Sequence, residues 1–253
     1  MTRALLLVER NLMIYRYTWA MLAAEVLEPL LYLLSIGVGV GQLVGAVPGL
    51  DDPGITYAQF VAPALLATAA MNGAMNETAF GLYFKLRHDR VYDTMVTTPL
   101  TVRDIALGET AWALLRGAIA SCGFLAVVAV LGYARSPWVL LAVPSAALVG
   151  FAFAAAGLAV ATFLRSTADF QLIQLVMLPM FLFATTFFPV TVYPRPVQLF
   201  VECLPLYHAI QLLREPALGH VGPALLPSAA YLVAFGALSV AIALPRLRRA
   251  LLS

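Results

Sequence analysis

Apolar residues run through this chain in long blocks separated by short polar interruptions. A helix that crosses the hydrocarbon core of a bilayer needs about 20 mostly apolar residues. The blocks therefore predict six membrane helices: Trp19–Gly45, Tyr57–Tyr83, Ile105–Gly132, Trp138–Leu164, Phe170–Val190 and Val221–Leu244. Two stretches do not fit that pattern. In residues 1–18, Leu5, Leu6, Val8, Leu12, Met13 and Tyr17 alternate with Arg3, Glu9, Arg10 and Arg16. This suits an amphipathic helix lying in the interface with its arginines toward headgroups; a frayed start of the first span is the alternative. Residues 193–219 are apolar but cut by Pro194, Pro196, Pro205 and Pro216 into pieces of about ten residues, too short to span. Backbone of that kind is tolerated at membrane depth only where protein shields it or it lines a wet cavity. The expectation is a pair of outer re-entrant helices before the last span.

Finer features sharpen these elements. Gly37, Gly41 and Gly45 recur every four residues, leaving a strip of bare backbone on which a second helix can close. Between the second and third spans lies the densest charge in the chain, Lys85 to Leu100. Thr98 precedes Pro99, which disfavours helix there, so a helix of two or three turns from Leu86 to Val96 must stop before it. Asp89 and Asp93 lie one turn apart, at helical pairing distance from Lys85 and Arg90.

Composition supports the membrane assignment. Hydrophobic residues make up 62% of the chain and charged ones 11%, against roughly 25% charged in soluble domains. The fold class is thus an all-α integral membrane protein. The net charge of +2 is no nucleic-acid footprint, but its distribution is informative. Arg3, Arg10, Arg16, Lys85, Arg87, Arg90, Arg103, Arg165, Arg246, Arg248 and Arg249 fall on one side of the predicted spans, and only Arg135, Arg195 and Arg214 on the other. Basic residues accumulate on the cytoplasmic side, so both termini and the Lys85 loop are expected in the cytoplasm. Residues Met1 to Tyr17 show no small-residue cleavage site of a signal peptide. The preference for arginine, with Lys85 the only lysine, suits a GC-rich bacterial genome and a bacterial cytoplasmic membrane.

No catalytic pattern stands out. The sequence contains no H-E-x-x-H, no G-x-S-x-G and no G-x-x-x-x-G-K phosphate loop. His88, His208 and His220 are dispersed, and Cys122 and Cys203 form neither a disulfide framework nor a metal site. The chemistry lies in charges inside spans: Glu28, Glu77, Glu109 and Arg116. Such residues are costly in lipid unless they pair or face water. Glu28 or Glu109 is expected to pair with Arg116, either as a gate whose pairing changes or as a static register pin.

The order of these features resembles a known family. Glu28-Pro29-Leu30-Leu31-Tyr32-Leu33 followed by Gly37-Val38-Gly39-Val40-Gly41 is similar to the first span of ABC-2 type permease subunits, in particular the NodJ-like and daunorubicin-resistance exporters. Arg87 to Arg90, Tyr92-Asp93-Thr94-Met95, Thr97-Thr98-Pro99-Leu100 and Ile105-Ala106-Leu107-Gly108-Glu109 resemble the family's cytoplasmic loop, with Asp93 where many relatives carry Glu. Leu204-Pro205-Leu206 and Ile210 to Arg214 resemble its outer re-entrant segment.

The resemblance implies one permease domain over residues 1–253. It would comprise an interface helix at 1–18, five spans in 19–190 with a coupling loop at 84–104, a re-entrant segment at 193–219 that includes Pro205 and Arg214, and a last span at 221–244. It implies that Arg87, Arg90, Tyr92, Asp93 and Met95 face a separate ATP-binding-cassette subunit, which holds ATP and Mg while this chain holds no cofactor. It further implies a second permease copy, as in a homodimer, and export of amphipathic or lipid-linked cargo such as drugs, glycolipids or polysaccharides, antibiotic resistance included. Phe181 and Phe187 are candidate wall residues of the cargo path, although lipid-facing or packing roles suit the same rings. The alternatives are a proton-coupled secondary transporter using the membrane glutamates and a membrane enzyme acting on lipid-linked substrates.

Overall fold

The computed structural model describes residues 3–15, 19–44, 54–87, 102–134, 136–164 and 166–252. Among them every regular element is helical. Helix α1 is Arg3–Tyr15. Helix α2, Trp19–Tyr32, continues through a π-helical segment, Leu33–Val40, into Gly41–Val44. Helix α3, Tyr57–Met75, likewise passes through a π-helical turn, Asn76–Phe80, and ends with Gly81–Arg87. Then come α4 (Val102–Val130), α5 (Ala142–Ala161), α6 (Phe170–Phe183), α7 (Arg195–Glu202), α8 (Pro205–Leu218) and α9 (Leu225–Leu252). Short 3-10 turns, Pro137–Leu141 and Thr167–Asp169, lead into α5 and α6.

Helix α3 is the centre of the bundle. It begins at a capping box: Gln59 N–H donates to Thr56 Oγ1 (3.3 Å) and Thr56 N–H to Gln59 Oε1 (3.0 Å), satisfying two orphan donors. It packs against α2, α4, α5 and α8, and most of its residues are buried. Four of the described helices are long and apolar enough to cross a membrane: Ala23–Leu43, Asp104–Val130, Pro137–Ala161 and Leu225–Arg249. Helix α3 is not among them, because protein surrounds it and it needs no lipid-compatible face. It instead carries Gln59, Thr68, Asn72 and Asn76. Thr68 Oγ1 satisfies itself by donating to the Ala64 carbonyl (2.9 Å).

Close packing is set by small residues. A Cβ at Gly157 of α5 would collide with Thr78 Oγ1 on the π-helical turn of α3, and a Cβ at Gly236 of α9 would lie 3.3 Å from Ala152 Cα on α5. The expected glycine strip on α2 does meet a partner. Gly37 faces Ala58 and Gly41 faces Tyr57 at the start of α3, whereas Gly45 lies outside the described residues.

Several boundaries differ from the apolar blocks. Helix α3 runs past Tyr83 to Arg87. Helix α6 stops at Phe183, not Val190, and at 1.5 Å per residue its 14 residues reach about 21 Å, short of the roughly 30 Å hydrocarbon core. After it Thr185 adopts a left-handed conformation, φ 64°, which no helix continues through. The last helix starts at Leu225 and runs through Pro245 to Leu252, where Leu244 was the expected end. A proline removes one backbone hydrogen bond but does not end a helix whose flanks pack elsewhere, and Arg246 supplies that packing. Its Nε donates to Thr162 Oγ1 (3.1 Å) and its guanidinium lies 3.6 Å from the Phe163 ring centroid. Residues 193–219 resolve into α7 and α8, with α8 closed by Gly219 at φ 96°, the left-handed cap that glycine adopts without a Cβ clash.

A second, smaller apolar core joins Leu7 of α1, Leu82 of α3, Ile105 of α4, Leu158 of α5 and Leu247 of α9. The structure thereby gathers at one end of the bundle the elements that flank the basic segments.

Candidate functional site

Two glutamates of neighbouring helices meet Arg116, near the middle of α4. Its Nη1 donates to Glu77 Oε2 and its Nη2 to Glu25 Oε1. The three side chains are largely buried: 13% of Arg116 is exposed, 10% of Glu77 and 21% of Glu25. One guanidinium therefore ties α2, α3 and α4 together. Its planar fork suits two carboxylates at once, which a lysine ammonium does not reproduce. Both acidic partners sit on helices interrupted by π-helical segments, Glu77 within one and Glu25 about two turns ahead of the other. Such turns add a residue to the helical register and are frequent at functional sites.

The pairing differs from the expectation that Glu28 or Glu109 would meet Arg116. Glu109 is buried against α1, 3.9 Å from Arg10 Nη2. Arg10 thus turns toward the protein and not to headgroups, while Leu6, Leu12 and Met13 of α1 stay exposed. Glu28 is one turn beyond Glu25 and exposed; it lines a cavity of about 250 Å³ between α2, α3 and α6. Glu25, Asn72, Asn76 and Gln174 line the same cavity, with Tyr32 and Phe181 at its aromatic edge. A partly open cleft with two carboxylates and three amides, set among apolar helices, is a place for hydrogen-bonding groups.

The opposite face of α6 borders a different space. A groove of about 810 Å³ is walled by Ile173, Val176 and Met180 of α6, Phe153 of α5, Phe235 of α9 and Pro205 of α8. Apart from Asp169 at its edge its lining is apolar. Met177 belongs to both walls. Helix α6 is thus a partition between a polar and an apolar compartment.

Beyond α6, Arg214 of α8 is almost fully buried. Its Nε donates to the Phe60 carbonyl (3.1 Å) and its Nη2 to the Thr185 carbonyl (2.7 Å), and its guanidinium lies 3.7 Å from the Phe60 ring centroid. Arg214 therefore pins the segment after α6 to the start of α3. Thr186 Oγ1 closes the same corner by donating to the Phe181 carbonyl (2.7 Å). Phe187 contacts Phe181 edge-on at 5.2 Å, and its carbonyl accepts from the Tyr57 hydroxyl (3.3 Å). Phe181 lies 6.3 Å from Tyr32 across the cavity rim.

The amino-acid sequence of this chain has known relatives. The ABC-2 type transporter family matches residues 2–218. The chain belongs to that family. It is similar to nodulation protein J of Rhizobium leguminosarum bv. trifolii, 38% identical over 202 residues, covering 79% of this chain and 75% of the relative. Nodulation protein J of Rhizobium meliloti (strain 1021) is 35% identical over 208 residues, covering 80% and 78%. That of Sinorhizobium fredii (strain NBRC 101917 / NGR234) is 33% identical over 235 residues, covering 92% and 88%.

The chain's family is one of membrane transport subunits. Of the expected docking residues, Arg87 is the last residue of Gly81–Arg87, and Arg90, Tyr92, Asp93 and Met95 lie outside the described residues. Glu77 and Arg116 come together; Glu28 and Glu109 stand apart from them. Glu25, Asn72, Asn76 and Gln174 were visible in the sequence as polar residues within apolar blocks, but only the packing of α2, α3 and α6 makes them one surface.

Proposed function

We propose that this ABC-2 permease is the membrane-spanning subunit of an exporter that moves amphipathic or lipid-linked cargo, driven by a separate ATP-binding-cassette subunit. The observation that carries the reading is the pair of compartments on the two faces of α6. A polar head group fits a cavity lined by Glu25, Glu28, Asn72, Asn76 and Gln174. An acyl or other apolar tail fits the groove lined by Val176, Met180, Phe153 and Phe235. A glycolipid, a lipid-linked glycan or an amphipathic drug has both halves, and Phe181 and Phe187 stand at the outer end of the path.

In this reading the 253 residues form one permease domain of six spans, with α1 in the interface and α7 and α8 as the re-entrant pair. Both termini face the cytoplasm of a bacterial cell, and a second permease, identical in a homodimer, completes the pathway. The family match and the basic residues at one end of the bundle support this topology. The sequence has no phosphate-binding loop of its own, so ATP and Mg are held by the partner. The helix predicted at Leu86–Val96 docks on that partner through Arg87, Arg90, Tyr92, Asp93 and Met95.

Purification with and without the adjoining ATP-binding subunit tests the reading. Copurification and vanadate-sensitive ATP hydrolysis by the pair are expected. Transport by this chain alone, driven by a proton gradient, overturns it in favour of a secondary transporter.

A further inference from the structure

Helix α6 is held mainly at its two ends. Of its residues only Phe170, Ile173 and Met177 are buried, and Leu172, Leu175, Val176 and Leu178 are more than half exposed. Its outer end is fixed through Thr185 and Thr186, as described above. Its inner end begins at a capping box in which Ser166 N–H donates to Asp169 Oδ2 (3.0 Å) and Ser166 Oγ to Asp169 Oδ1 (3.2 Å). Directly after that cap stands Phe170, enclosed by three rings from the end of α3. Phe80 stacks on it at 4.0 Å with 11° between planes, Tyr83 meets it edge-on at 5.0 Å, and Phe84 lies 6.1 Å away at 21°. Tyr83 and Phe84 also meet edge-on at 5.6 Å.

The turn that precedes α6 is anchored separately, since Arg246 of α9 holds Thr162 and Phe163. The aromatic clamp therefore joins α6 to α3 while the end of α5 stays with α9. Helix α3 leads through Arg87 into the segment that the proposed function assigns to ATPase docking. Displacement of that end of α3 reaches α6 through the four rings. Close-packed rings shift as a unit, because separating them opens a void that neighbouring atoms cannot fill. Pro179 leaves α6 one backbone hydrogen bond short beyond Met177, so the inner half can tilt while the outer end remains pinned.

We infer that Phe170 is the positioning residue that transmits ATPase-driven motion of α3 to α6, the wall between the polar cavity and the apolar groove. The inference rests on the exporter reading above. In it, α6 is the moving element, and Phe80, Tyr83 and Phe84 are the surface that moves it.

The test uses the full chain assembled with its ATP-binding subunit in lipid. Cys122 and Cys203 are both exposed and are replaced first, by Cys122→Ala and Cys203→Ser. Spin labels at Leu115→Cys of α4 and Leu178→Cys of α6 then report the α4–α6 distance with and without ATP and vanadate. The unsubstituted clamp should show a nucleotide-dependent change in that distance. Phe170→Ala and Phe80→Leu should lose the change while the complex still hydrolyses ATP, and Phe170→Tyr, which keeps the ring, should restore it. Substitutions along coupling networks alter coupling by about 2- to 30-fold, and a loss of coupled movement in that range is expected.

Leu175→Ala, on the exposed face of α6, should leave the change intact. An unchanged distance response in both Phe170→Ala and Phe80→Leu, with ATP hydrolysis preserved, overturns the relay and leaves the exporter reading standing. Failure of the unsubstituted chain to assemble with the ATPase overturns the exporter reading, and the relay with it.

Discussion

Arg116 of α4 donates a charge-assisted hydrogen bond to Glu77, 39 residues away on the π-helical turn of α3, while its other terminal nitrogen holds Glu25 of α2. Three helices are registered by one guanidinium. Removing it leaves two carboxylates in a low-dielectric site without their cation. Breaking a buried ion pair from one side costs about 3–5 kcal/mol. Arg116→Ala should therefore lower the thermal stability of the purified protein strongly. Glu25→Gln and Glu77→Gln should each cost less, because Arg116 retains one partner. A double-mutant cycle between positions 77 and 116 should give a coupling well above that of Glu28 with Arg116. Equal couplings for Glu28 and Glu77 would contradict the geometry.

Gly157 lies where α5 crosses the π-helical turn of α3, with Thr78 Oγ1 and Ala79 N against its bare Cα. Forcing extra atoms into a packed interface costs about 1–3 kcal/mol. Gly157→Val should reduce the yield of folded protein and its melting temperature. Thr78→Ala in the same chain should recover part of the loss, since it clears the nearest atom. Recovery from Thr78→Ala equal to that from a distant substitution would remove Thr78 as the obstacle.

Arg214 satisfies two carbonyls from separate parts of the chain, Phe60 and Thr185, in a site closed to solvent. Hydrogen bonds to charged groups contribute about 1.5–3 kcal/mol each. Arg214→Met should destabilise the protein and free the segment after α6, which limited proteolysis or hydrogen exchange at 184–189 would register. Arg214→Lys should rescue little, because one ammonium does not span both carbonyls and the Phe60 face as the planar fork does. Full stability of the lysine variant would count against this role.

The polar cavity offers a direct check on cargo. Asn72→Leu and Gln174→Leu replace hydrogen-bonding lining by apolar groups of comparable bulk. Each should weaken the cargo's apparent affinity in cargo-stimulated ATP hydrolysis. A buried polar group left unpaired costs about 1–3 kcal/mol, or roughly 5- to 150-fold. Protein level and basal hydrolysis should change little. Unaltered cargo stimulation in the double variant would take the cavity out of the path.

The proposed docking segment offers a test that leaves the spans untouched. Tyr92→Pro removes a backbone donor inside the helix predicted at Leu86–Val96, costing about 3 kcal/mol or more in a helix interior. Insertion of the spans should be unaffected, and transport should be lost or uncoupled from ATP hydrolysis. Transport at the unsubstituted rate would exclude this segment as the coupling element.

The amino-acid sequence by itself determined where helices form, because apolar content over about 20 residues and its interruption by turn formers are local properties. It showed that Arg116 and the glutamates lie inside apolar blocks, that Gly37 and Gly41 offer a close approach, and that the pattern of blocks and loops matches ABC-2 permeases. Only the tertiary structure decided which carboxylate meets Arg116. Glu25 and Glu28 are neighbours on one helix, and the rotation of α2 against α4 chooses between them. That rotation is set by packing across three helices and by two π-helical turns whose added residue has no local signature. The early end of α6 and the continuation of α9 through Pro245 have the same origin. A proline or an apolar run biases the backbone by a few kcal/mol at most; Arg214 of α8, holding the Thr185 carbonyl after α6, and Arg246 of α9, holding Thr162 and Phe163 after α5, settle how far those elements run.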